Sequence, residues 1–157
     1  MNREALHVHD LIVKPTLAGL GLGGDIPERF VTCIGQYESG YDNLRQVLNS
    51  GNYGAGWGWW QCEKQTFDDD IKFLENDRPD LILKLLSVCQ LQSLPDITAV
   101  IWNLRFAAAM CRIHFLRFKE SIPGDLEGMG QYYKKYYNGD GKGSVEAFVK
   151  ECKDIFK

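Results

Sequence analysis

This sequence has little with which to cross-link itself, ligate a metal or grip nucleic acid. Its five cysteines, Cys33, Cys62, Cys89, Cys111 and Cys152, are an odd, scattered set without a CxxC pair. That excludes a disulfide frame or zinc ribbon and reads as reduced core thiols. Positive charge is not in excess: the net charge is −3, so the basic stripe of a nucleic-acid binder is missing. Long apolar runs are missing too. The best one, residues 97–118, contains Asn103, Arg105, Arg112, His114 and Arg117, which excludes a membrane span and suggests a buried helix. The first ten residues are polar and carry both signs of charge, unlike a secretory signal, so synthesis in a bacterial cytoplasm without a signal peptide is expected. There is no repeat, low-complexity tract or dividing linker. What is present is a globular balance, 45% hydrophobic and 25% charged over 157 residues, expected to form one domain spanning 1–157.

Local signals describe an all-α chain with at most a small β-hairpin or irregular loop region. A first helix over 3–13 is expected to stop at Pro15, followed by glycine-rich chain to Gly24. Asp25 and Glu28 have capping-box spacing, Pro27 suits a first turn, and Ser39-Gly40 supplies a stop. Residues 41–48 read as a helical turn or short helix, and the glycine- and aromatic-rich 50–60 as an irregular loop or hairpin. Helices are expected over 66–75, 79–90, a long central 96–118, 125–137 and 145–156, with a turn at 138–141.

One carboxylate stands out. Along the third helical segment Phe30, Val31, Ile34 and Tyr37 share a face, and Glu38 falls about 80° from Phe30, between Val31 and Ile34. A carboxylate on the last turn of an apolar face is paired, protonated or open to a cleft. Burial and the negative end of the helix dipole both favour its protonated form. That suits a general acid, whereas pairing with Arg45 would make it structural.

Tyr37-Glu38-Ser39-Gly40, Gly54-Ala55-Gly56-Trp57-Gly58-Trp59-Trp60-Gln61 and Thr66 occur in the order of the "ES … GAxGLMQ … T" core of lytic transglycosylases and goose-type lysozymes, which this chain resembles. Asn103 with Ala107 to Ala109 is similar to that family's central helix, and Tyr137-Asn138-Gly139 to its "YNAG" motif. The stretches IVKPTLAGLGL (12–22) and YYNGDGKGSVEAF (136–148) also resemble phage-encoded proteins carrying such a domain. The resemblance implies a lysozyme-like fold and a glycosidase, needing no cofactor, that cleaves between N-acetylmuramic acid and N-acetylglucosamine. Glu38 would be the acid and Gln61 would bind sugar. Tyr137 would line the cleft and Asn138 hold its turn. The sequence departs from the family where Trp59-Trp60 replaces Leu-Met and an extra Gly-Trp pair precedes it. Trp57, Trp59 and Trp60 could stack on pyranose rings, with at least one expected in the core.

Glu63 is the leading candidate for a second catalytic carboxylate, ahead of Asp42 and the run Asp68-Asp69-Asp70, which is expected to complement a helix dipole. Lytic transglycosylation, which needs no second carboxylate, is slightly favoured over hydrolysis. No metal site is expected. The 138–149 segment fails as a calcium loop because Lys142 and Val149 occupy ligand positions, His7 and His9 point apart, and His114 reads as a core histidine. Peptidoglycan is the expected partner, reached from within a virion or with help from a holin; nucleic acid and membrane insertion are not. The competing expectation is a phage structural or interaction protein that retains the fold without turnover, its groove filled by the tryptophans.

Overall fold

The computed structural model describes residues 2–139 and 141–156. The expected turn at 138–141 includes Asp140, which lies outside them. The fold is helix-rich with one two-stranded hairpin.

Helix α1 (Arg3–Val8), a π-helical turn (His9–Val13) and α2 (Lys14–Leu20) follow one another without a break. Pro15 therefore does not stop the helix. The wider turn lets Lys14 N–H donate to the His9 carbonyl, five residues back, which accommodates a ring that would crowd an ordinary α-turn. The run ends instead at Gly21, whose φ is +71°.

Helix α3 (Asp25–Ser39) starts one residue earlier than its capping spacing suggested. Gly24 is the N-cap, and Glu28 reaches back to accept from its N–H at 2.8 Å. The chain reverses sharply after α3 through left-handed Gly40 and Tyr41. The Tyr41 ring folds against Gly35, where a Cβ would collide with it, and its hydroxyl donates to the Thr32 carbonyl at 2.7 Å.

The helical turn expected over 41–48 is a strand. β1 (Arg45–Val47) pairs antiparallel with β2 (Tyr53–Trp57). Arg45 fastens the pair by donating to the Gly54 carbonyl at 2.9 Å and stacking 3.6 Å over Trp57. That pairing across the hairpin overrides a weak local helix preference.

Helices α4 (Lys64–Asn76) and α5 (Pro79–Cys89) follow as expected. The long central helix is instead divided into α6 (Ala99–Trp102), α7 (Leu104–His114) and a 3-10 turn (Phe115–Arg117). Asn103 makes the break. Extended, it caps α7 by accepting from Phe106 N–H at 3.0 Å and donates to the Cys89 carbonyl at 2.8 Å. Helices α8 (Leu126–Tyr136) and α9 (Val145–Cys152) begin at the side-chain caps Asp125 and Ser144.

Helix α3 packs against α1, α7 and α9, and α8 lies along α9. Phe30 from α3 meets Phe115, Tyr132 and Phe148 with ring centres 4.9–6.5 Å apart. Burying each such ring contributes about 2 kcal/mol. Among the described residues no helix is long and apolar enough to cross a membrane.

A candidate active site at the end of helix α3

The core holds α3 so that its last turn carries Glu38 out to the mouth of a groove. Three hydrogen bonds link α3, the chain after the hairpin and the end of α8. Ser39 Oγ donates to the Trp59 carbonyl at 2.7 Å, Trp60 Nε1 donates to the Val31 carbonyl at 2.8 Å, and the Tyr137 hydroxyl donates to the Trp60 carbonyl at 2.5 Å. The end of α3, the chain after the hairpin and the end of α8 therefore move as one piece.

The groove has a volume of about 720 Å³, and Glu38, Gln46, Gln61, Glu63, Tyr137 and Lys142 are among its lining residues. This size falls within the usual range for ligand sites. Asn138 and Thr66 also line it. The sequence-predicted Glu38, Gln61, Glu63, Tyr137 and Asn138 thus share one groove, although they come from three separate stretches of chain.

Glu38 is mostly buried, and its carboxyl rises from an ordinary value near 4.5 to about 7. Desolvation is the main cause, and the Glu63 charge adds to it; a hydrogen bond from the Tyr133 hydroxyl to Glu38 Oε1 opposes both. Near neutral pH, then, the protonated and ionised forms coexist, as a group that both gives and retakes a proton requires. Arg45 does not neutralise Glu38, because its guanidinium is engaged by the hairpin.

Compared with known proteins, the chain matches no family model, no curated protein and no solved structure. What the groove can do is read from its own side chains.

The tryptophans do not line it. Trp60 is 1% exposed and serves as a core brace through its indole N–H. That corrects its expected place on a sugar face: a ring whose faces are packed and whose donor is satisfied cannot also stack on ligand. Trp57 lies under the Arg45 guanidinium, and Trp59 rests edge-on against Tyr41 at 5.3 Å. The lining is instead polar, with amides, carboxylates and Lys142.

The acidic run has another use as well. Because α4 starts at Lys64, Asp68 to Asp70 sit beyond its first turn. Asp68 pairs with Lys64 and Asp69 accepts from Gln65. Asp70 is buried, 2.8 Å from Arg117 Nη1 and 3.1 Å from His114 Nδ1. The other His114 nitrogen meets the Tyr136 carbonyl at 2.8 Å, so the core histidine steadies the backbone just before Tyr137.

Sequence reasoning missed Tyr133. Its spacing of four from Tyr137, on one face of α8, was a signal that both rings look the same way. Lys142 was also missed as a lining residue, having been weighed only as a failed calcium ligand. Among the described residues no group of three His, Cys, Asp or Glu side chains could hold a metal ion.

Proposed function

We propose that this protein is a peptidoglycan glycosidase with Glu38 as its general acid. The observation that carries the reading is a carboxyl raised to about 7 at the mouth of an open polar groove, held by a neutral phenol and not by a cation. A glycosidic oxygen leaves poorly unless protonated as its bond breaks, and a half-protonated acid does that at neutral pH.

In the transglycosylase route, Glu38 gives its proton to the departing oxygen as the bond to the muramic acid C1 breaks. The resulting carboxylate then takes the proton from the same sugar's 6-hydroxyl as that oxygen bonds to C1, leaving a 1,6-anhydro ring. In the hydrolytic route Glu63, a carboxylate in the same groove, either attacks C1 or activates water, according to its distance from the acid. The purified protein should clear a suspension of Gram-negative murein, and Glu38→Gln should not. Equal clearance by both proteins would end the acid assignment. Mass spectrometry of the products separates the routes: anhydro-muramyl ends for transglycosylation, reducing ends for hydrolysis.

A further inference from the structure

Arg112 is a cation that the fold leaves without a counter-charge. It stands on the last turn of α7 and is mostly buried. Its one acceptor among the described residues is the Leu22 carbonyl, to which Nε donates at 3.3 Å. No described carboxylate is within ion-pair reach: Glu120 is taken by Lys135 at 2.6 Å, and Asp25 by Arg29 at 3.5 Å. Burial accordingly draws the Arg112 pKa below its ordinary value. A guanidinium withdrawn from water without a partner destabilises a fold unless something else meets it.

A guanidinium carries five N–H donors and no acceptor. One of them holds Leu22, which braces the chain after α2 and leaves the four on the two terminal nitrogens. Neither of those nitrogens is sealed in the core, because the buried side-chain polar atoms without a partner belong to Thr16 and Arg29. Arg112 lines a second cavity, of about 290 Å³, and its terminal nitrogens open there. Ile26, Pro27, Leu116 and Ile122 give that cavity apolar walls. Ile26 and Pro27 belong to the first turn of α3, at the positive end of its dipole. Glu38 lies about 16 Å further along the same helix, so this cavity is separate from the groove.

The volume is at the small end of ligand sites. Apolar walls ask for an apolar body, and the paired N–H groups of a guanidinium match the two oxygens of a carboxylate. We propose that this cavity binds a small monocarboxylate with a short apolar body. Its oxygens accept from the terminal nitrogens of Arg112, and its body lies against Ile26, Pro27, Leu116 and Ile122. The assignment does not depend on the glycosidase reading.

The test compares 3-phenylpropionate, 3-phenylpropanamide and acetate by titration calorimetry and by the arginine side-chain resonances. The wild-type protein should bind 3-phenylpropionate at least about tenfold more tightly than either of the others, since the amide lacks the charge and acetate lacks the body. Arg112→Met keeps an apolar stem and removes the charge. It should cut the preference for acid over amide to about twofold or less, while the melting temperature holds or rises because an uncompensated buried charge is gone. Should that variant fail to fold, the wild-type protein still decides, through the acid-to-amide ratio and an Arg112 Nε–H resonance that shifts with the acid alone. Equal affinity for acid and amide would overturn the site. So would a preference that survives Arg112→Met, which would leave Arg112 as a brace for Leu22. Tighter binding of inorganic phosphate would overturn the apolar ligand, and tighter binding of a peptide ending in phenylalanine would overturn the small molecule in favour of a chain terminus.

Discussion

Glu38 and Asp70 are both carboxylates on helices drawn toward the interior, and the fold treats them oppositely. Asp70 receives an arginine, a histidine and a place in the core. Glu38 receives a phenol, a second carboxylate nearby and an opening to solvent. An arginine partner makes a buried carboxylate a strut; without one, Glu38 keeps a proton available at neutral pH. The groove around Glu38 thus keeps an electrostatic tension that the Asp70 region has discharged.

Predictions that break or sharpen this contrast begin with activity. Glu38→Gln should lower murein clearance by about 10²–10⁴-fold, the usual contribution of a general acid, with the helical circular dichroism unchanged; a loss under tenfold would put the acid elsewhere. Asp70→Asn should instead act on stability, by about 3 kcal/mol, because the buried carboxylate that holds both His114 and Arg117 is lost. Chemical denaturation measures that, and a neutral result would mean the strut is dispensable.

Glu38 itself should weaken the fold. Since its folded pKa is about 7 against an ordinary 4.5, the folded state holds the extra proton within that window. Stability contributed by this group should therefore fall as pH rises from 4.5 through 7, by about 3 kcal/mol at most. Glu38→Gln should flatten that slope and raise the melting temperature at pH 8; an unchanged slope would contradict the raised value.

Tyr133→Phe removes the hydrogen bond that favours the carboxylate, so the alkaline limb of the activity profile should move to higher pH. The smallest effect is expected from Glu63→Gln on that limb, in the opposite direction, because losing a neighbouring negative charge eases ionisation of Glu38. If Glu63 is the hydrolytic partner, its removal should also lower activity itself, while a transglycosylase would retain most of it.

Some of this was legible in the chain. Glu38 appears as the intruder on the Phe30, Val31 and Ile34 face because helical period is local, and the helices expected from 125 and from 145 start within a residue of α8 and α9. The break at Asn103 was not legible, since it depends on an acceptor at the end of α5. Nor was the fate of the tryptophans: three similar rings in four residues differ only in what packs over them. Pro15 was misread for a related reason, because the π-turn that admits it also packs against α3 and α7.

The sequence by itself determined a helical chain, its apolar faces, and the presence of one carboxylate at the rim of such a face, all consequences of spacing along a few turns. Only the tertiary structure decided that Tyr133 and not Arg45 would meet Glu38, that Asp70 would meet Arg117 and His114 in the core, and that Gln46 and Gln61 would line one groove with Glu38. Those outcomes depend on groups distant in sequence competing for the same donors, acceptors and space, and chain folding alone brings them together.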